Sequence, residues 1–185
     1  MNLPNKLSFL RIILVPLFML FLFLRNDFPV YADILALVTF VAAAITDGLD
    51  GYIARREQII TKLGKILDPL ADKLLITSAL IVFVAMNDIS AWAAFLIIGR
   101  ELAVTGLRVI AASEGIIISA NQWGKWKTTL QITAIIYIIV HPVFFFLPAF
   151  LATVLIWLAV VITIISGIIY FKSADIDFFG KQKIK

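Results

Sequence analysis

Apolar residues fall into six long runs separated by short polar connections. The first covers residues 7–24 if Arg11 is admitted at its edge, or 12–24 without it, and Pro16 is a kink position within it. The second, 28–46, is interrupted by Asp33 alone. The third, 66–86, carries Asp68, Asp72 and Lys73 in its first two turns and stops at Asn87-Asp88. The fourth, 89–112, holds Arg100, Glu101 and Arg108, and the fifth, 127–140, is broken by His141-Pro142. The stretch 143–171 contains Pro148, which opens a sixth helix, and residues 172–185 form a polar, basic tail. A bilayer-spanning helix needs about 20 residues. The pattern therefore predicts an all-α, polytopic integral membrane protein: six transmembrane helices in a single domain over residues 1–185.

The first run begins like a signal peptide, with Lys6 and Arg11 ahead of it. Arg25-Asn26-Asp27 follows without a small-x-small cleavage site, so an uncleaved first helix is expected. Basic residues set the orientation. Lys6 and Arg11 lie at the start; Arg55, Arg56, Lys62, Lys65 and Lys73 around the second connection; Arg100, Arg108, Lys125 and Lys127 around the fourth; Lys172, Lys181, Lys183 and Lys185 in the tail. Only Arg25, of 16 basic residues, falls on the other side. Six spans put both termini on the basic side, which is expected to be cytoplasmic, with a cell-membrane location.

Composition agrees with this pattern. The chain is 62% hydrophobic and 15% charged, against about 45–50% and about 25% in soluble domains, and its mean hydropathy is +1.04. An ordinary soluble globule and a disordered chain are both excluded. The absence of cysteine removes disulfides, thiolate metal sites and thiol nucleophiles. A net charge of +4 suits contact with anionic membrane lipids. Nucleic acid is not an expected partner, because the basic residues flank apolar runs.

Acidic residues point to chemistry. Asp47 and Asp50 are spaced i, i+3 at the end of the second run, and Asp68 and Asp72 i, i+4 at the start of the third. Each pair projects from one face of a helix. The short connection between them should bring the four carboxylates together at the cytoplasmic surface. Two like charges about 6 Å apart repel by roughly 3 kcal/mol at an effective dielectric near 20, so such a cluster requires protonation or bound cations. Oxygen ligands without cysteine, with His141 on the far side, select magnesium, manganese or calcium. Gly51, Ala54 and Gly64 leave room for a ligand, or serve as a turn and helix packing. Arg55 offers a bidentate phosphate contact, or a cytoplasmic anchor.

The window Asp47-x2-Asp50-Gly51-x2-Ala54-Arg55-x8-Gly64-x3-Asp68-x3-Asp72 resembles the signature of the CDP-alcohol phosphotransferase family, every fixed position standing at the family spacing. The resemblance implies a six-helix enzyme, commonly a homodimer. It would move a phosphatidyl or similar group from a CDP-linked donor to an acceptor hydroxyl and release CMP. Asp47, Asp50, Asp68 and Asp72 would bind divalent metal, expected as two magnesium or manganese ions, and Asp72 would also be the general base. Gly51, Ala54, Arg55 and Gly64, with the aspartates, would surround the cytidine diphosphate, and Asn5 and Ser8 would touch the donor.

Three further segments resemble the bacterial phosphatidylglycerophosphate synthase branch of that family: residues 2–8 with Arg11, residues 99–108, and Gly124-Lys125-Trp126-Lys127-Thr128. In that branch CDP-diacylglycerol is the donor and sn-glycerol 3-phosphate the acceptor. Arg100 and Arg108, about 80° apart round a helix at roughly 100° per residue, would hold the acceptor phosphate with Lys125 and Lys127. The bland alternatives are a structural ion pair at Arg100-Glu101 and plain anchors at Lys125 and Lys127. Rival acceptors are phosphatidylglycerol, inositol phosphate or serine. A rival of another class is a divalent-cation transporter, for which Asp33 alone could extend an ion path across the apolar half.

Overall fold

All six apolar runs fold as helices. The computed structural model describes residues 3–57, 62–113, 122–144 and 146–173, apart from the side chains of 3–5, 47–57, 62–70, 72, 113 and 173. The helices are α1 Leu3–Phe23, α2 Tyr31–Glu57, α3 Lys62–Ala85, α4 Ala91–Ser113, α5 Gln122–Val140 and α6 Ala149–Ser173, with one 3-10 turn at Leu24–Asn26 and no strand among the described residues. Local chemistry sets several ends. Asn87 adopts a left-handed conformation, φ 60°. Asp88 N–H then donates to Phe83 O and Asn87 N–H to Val84 O, closing α3 with a Schellman motif. Pro148 precedes α6 as expected, and its carbonyl accepts from Leu151 N–H and from the Tyr137 hydroxyl.

The largest departure from the hydropathy pattern is at the end of α2. The second apolar run ends at Thr46, yet α2 stays helical to Glu57. Hydropathy marks where lipid-compatible residues stop, not where the hydrogen-bond ladder stops. Arg and Glu extend a helix well, so the ladder continues through the motif.

The bundle is apolar outside and partly polar inside. Phe9, Ile13, Leu20, Val38, Phe95, Leu102, Val109, Phe150 and Leu158 are exposed, whereas Ser8, Arg11, Asp33, Thr39, Ser78, Gln131, Thr163 and Ser166 are buried. Water would disfavour this arrangement, and hydrocarbon favours it. Buried hydroxyls are satisfied locally: Thr39 donates to Leu35 O and Ser78 to Leu75 O. Gln131 donates across to Thr163 at 3.1 Å. Residues 6–26 and 149–172 are long and apolar enough to cross a membrane by length and composition. Tyr31–Thr46 and Lys73–Ala85 are shorter apolar stretches. Ionisable groups at 100, 101 and 108 interrupt α4.

At the core, α1 packs against α2 and α3, α5 against α6, and α4 against α6. Phe18 and Phe40 meet at 5.5 Å between ring centroids, in one buried cluster with Leu22, Phe83, Ile97, Ile135 and Ile138. Alanines at 36, 43, 79, 93 and 134 are buried in the same cluster, and small residues of this kind let helix backbones approach closely.

Arg25 ties together the end of the bundle that holds the α1–α2 and α3–α4 connections. Its Nε donates to Asp33 Oδ1 at 2.5 Å and its Nη1 to Asp88 Oδ2 at 2.8 Å. Burial pushes the Asp88 carboxyl above its ordinary range, with Arg25 pulling the other way. Asp33 is 2% exposed, so it is engaged in an ion pair instead of being open as a step on an ion path. Removing one partner of a buried pair costs about 3–5 kcal/mol. Arg25→Ala is therefore expected to lower the thermal unfolding midpoint in detergent sharply, and Arg25→Ala/Asp33→Ala to recover much of the loss. An Arg25→Ala protein as stable as wild type would show that the pair is solvated.

Candidate active site

The acid pairs lie on two consecutive helices. Because α2 remains helical to Glu57, positions 47, 50, 51 and 54 fall at i, i+3, i+4 and i+7 and form one stripe. Arg55 borders that stripe. On α3, which begins at Lys62, positions 64, 68 and 72 stand at i, i+4 and i+8. The motif residues are thus in register along one stripe of each helix. The side chains of Asp47, Asp50, Gly51, Ala54, Arg55, Gly64, Asp68 and Asp72 lie outside the described residues, as does that of Asn5. As a donor set, four carboxylates on two helix stripes in a chain without cysteine fit a hard divalent cation.

A cationic pocket of about 480 Å³ lies among α3, α4, α5 and α6. Lys73, the residue after Asp72, lines it together with Arg100, Glu101, Thr105 and Arg108 of α4, Lys125, Lys127 and Thr128 of α5, and Tyr170 of α6. Four helices therefore converge on one space. Among the described residues, five cationic side chains and one carboxylate line the pocket, a surplus of positive charge that suits an anion. All four cations expected from the sequence are present in it, and Lys73, read before only as an orientation signal, joins them.

Glu101 organises one wall. Its Oε1 accepts from Lys127 Nζ on α5 and from Arg100 Nη1 at 3.3 Å. Lys127 is 10% exposed and Glu101 20% exposed at their side chains. Lys127 is thus a buried, paired cation and not a plain surface anchor. Lys125 is exposed at the pocket mouth. The Arg100-Glu101 pair does bridge to a neighbouring helix, and it does so inside the pocket.

The sixth helix supplies a second wall that the sequence reading missed. Arg100 Nη2 donates to Ser166 Oγ at 2.7 Å. Arg108 Nη2 donates to the Tyr170 hydroxyl at 2.7 Å. Both guanidiniums also lie over the Tyr170 ring, 5.5 Å and 5.0 Å from its centroid. The available signal was a serine and a tyrosine spaced i, i+4 in a largely apolar run. Ser8 is fully buried on α1 and does not line the pocket. Arg11, placed at the edge of the first run, is instead 1% exposed. Trp126 is largely exposed and Trp123 partly so, as interfacial residues would be.

A model of the CDP-alcohol phosphatidyltransferase family matches residues 1–165 of the chain. The chain belongs to that family. Among curated relatives, "CDP-diacylglycerol--glycerol-3-phosphate 3-phosphatidyltransferase" of Bacillus subtilis (strain 168) is 42% identical, covering 92% of this chain and 94% of the relative. The protein of that name from Rickettsia typhi (strain ATCC VR-144 / Wilmington) is 34% identical over 96% of this chain and 99% of the relative. "Probable phosphatidylglycerophosphate synthase" of Mycobacterium tuberculosis (strain CDC 1551 / Oshkosh) is 39% identical over 97% of this chain and 84% of its own length. Within this CDP-alcohol phosphatidyltransferase, the two chemical regions are now distinct. The acid stripes lie on α2 and α3, and Lys73, one residue beyond Asp72, lines the cationic pocket.

Proposed function

We propose that the chain transfers the phosphatidyl group of CDP-diacylglycerol to sn-glycerol 3-phosphate, giving phosphatidylglycerophosphate and CMP. The observation that carries this reading is the pocket that Lys73, the residue after Asp72, helps to line: five cations stand among its described residues, and it is large enough for a phosphorylated acceptor. An uncharged or zwitterionic acceptor gives no reason for such an excess of positive charge. The relatives' names point to the same donor and acceptor.

Each side chain then has a task. Arg100, Arg108, Lys125 and Lys127 hold the acceptor phosphate through charge-assisted hydrogen bonds. Asp72 accepts the proton of the acceptor hydroxyl as its oxygen attacks the phosphatidyl-bearing phosphorus. The bond from that phosphorus to the bridging oxygen breaks, and CMP leaves with the oxygen. Gly51, Ala54, Arg55 and Gly64 surround the cytidine diphosphate, with Asn5 on α1. Ser8, being buried, acts on the donor through α1. Asp47, Asp50, Asp68 and Asp72 would hold two magnesium or manganese ions. Bound there, the metal offsets pyrophosphate charge and stabilises the departing oxygen.

We place the whole of residues 1–185 in one six-span domain of the cell membrane, with both termini and the site facing the cytoplasm, in a bacterial homodimer. The two helices of clear membrane-crossing character and the apolar exterior support this arrangement. A site at the bilayer surface lets the donor keep its acyl chains in lipid while its headgroup meets a water-soluble acceptor.

Purified protein in vesicles, given labelled CDP-diacylglycerol with one acceptor per reaction, tests the assignment. Glycerol 3-phosphate is expected to yield CMP and phosphatidylglycerophosphate together. Turnover only with phosphatidylglycerol, inositol phosphate or serine would replace the acceptor. Cation flux without CDP-lipid would favour a transporter. In the same assay, Asp50→Asn is expected to raise the metal concentration for half-maximal rate at least about tenfold, since even groups that merely support a ligand change metal affinity by that much. An unchanged metal titration would contradict the ligand role.

A further inference from the structure

We propose that Tyr170 of α6 is a positioning residue for acceptor binding, acting through Arg108 and, less strongly, through Arg100. The inference rests on the reading of the cationic pocket as the acceptor site. Three observations on α6 carry it. The Tyr170 hydroxyl accepts from Arg108 Nη2 at 2.7 Å, while the ring lies under both guanidiniums. Ser166, one turn earlier, holds Arg100 Nη2 at 2.7 Å. Gly167 leaves space for the Arg100 stem: a Cβ at that position would stand 3.0 Å from Arg100 Cγ. One face of α6 is therefore shaped to the two arginines.

The physical need is clear. Two guanidiniums side by side repel, and each long side chain loses rotamer freedom when it is fixed. An aromatic face offsets part of the charge without competing for the phosphate as a carboxylate would. Tyr170 is itself 4% exposed, so it is held in place by packing. The two arginines differ in what supports them. Arg100 also contacts Glu101 and Ser166. Among the described residues, the polar and ring contacts of Arg108 all go to Tyr170. Loss of the tyrosine hydroxyl should thus loosen Arg108, which keeps only the ring contact, and leave Arg100 largely fixed.

The test is a double-mutant cycle on steady-state kinetics with the full-length protein in vesicles, glycerol 3-phosphate and CDP-diacylglycerol being varied separately. Tyr170→Phe keeps the ring and removes the hydroxyl. It is expected to raise the KM for glycerol 3-phosphate about three- to tenfold, the usual range for one hydrogen bond, with kcat and the donor KM unchanged. In an Arg108→Ala background the same substitution should add nothing, because the group it positions is gone. An equal effect in both backgrounds, no effect in wild type, or a parallel fall of kcat with both KM values would overturn the proposal. An Arg108→Ala protein with a wild-type acceptor KM would instead remove the acceptor reading of the pocket itself, so the two failures are separable.

Discussion

Asp72→Asn is expected to lower CMP release at least about a thousandfold, within the range that a positioned general base contributes, while CDP-diacylglycerol binding stays close to wild type. Asparagine matches aspartate in shape and keeps one oxygen, but it takes up no proton at neutral pH. Position 72 shares its α3 stripe with Gly64 and Asp68, and the next residue, Lys73, lines the anion pocket. It is therefore the motif position nearest in sequence to the pocket. Single-turnover CMP release measured alongside equilibrium donor binding separates the two effects. Near-normal release would remove Asp72 from the mechanism. Lost donor binding at low rate would leave it a ligand only.

The second large effect is expected at Arg108. Arg108→Ala should raise the KM for glycerol 3-phosphate roughly tenfold to a hundredfold, since hydrogen bonds to charged groups contribute about 1.5–3 kcal/mol. The donor KM should move much less. Arg108 is exposed within the pocket, contacts Tyr170 and is paired with no carboxylate among the described residues. Its loss therefore leaves no buried charge unpaired among them. Arg100 would be a poorer choice, because it is also bonded to Glu101 and Ser166. Equal rises in both KM values would assign Arg108 to maintaining the bundle and not to the acceptor.

Much of this was legible in the sequence, for physical reasons. Long apolar runs are hard to miss, and Pro148 and Asn87 mark ends that the backbone chemistry enforces. The cations at 100, 108, 125 and 127 stood out because charge inside or beside an apolar run is costly and so conspicuous. Other features were hidden. The extension of α2 to Glu57 lies in polar residues that fit helix and connection equally well. Glu101 and Lys127 are separated by 26 positions, and Arg25 and Asp88 by 63. No local pattern reveals such partners. Tyr170 sits in an aliphatic run, where an aromatic residue reads as lipid-facing bulk, and only its contacts with two arginines give it a role. Ser8 is buried on α1, a placement that its position ahead of an apolar run does not reveal.

The central claim is that the α2 and α3 aspartates and the cationic pocket form one site, with metal and acceptor phosphate side by side. Phosphorus-31 relaxation of glycerol 3-phosphate in the presence of protein and Mn²⁺ reads that proximity directly. At subsaturating Mn²⁺ and glycerol 3-phosphate, wild-type protein is expected to enhance the relaxation strongly, Asp50→Asn to weaken the effect by binding the ion less tightly, and Arg108→Ala by binding the phosphate less tightly. Phosphate that is bound yet insensitive to bound Mn²⁺ would place the two groups in separate sites and contradict the account.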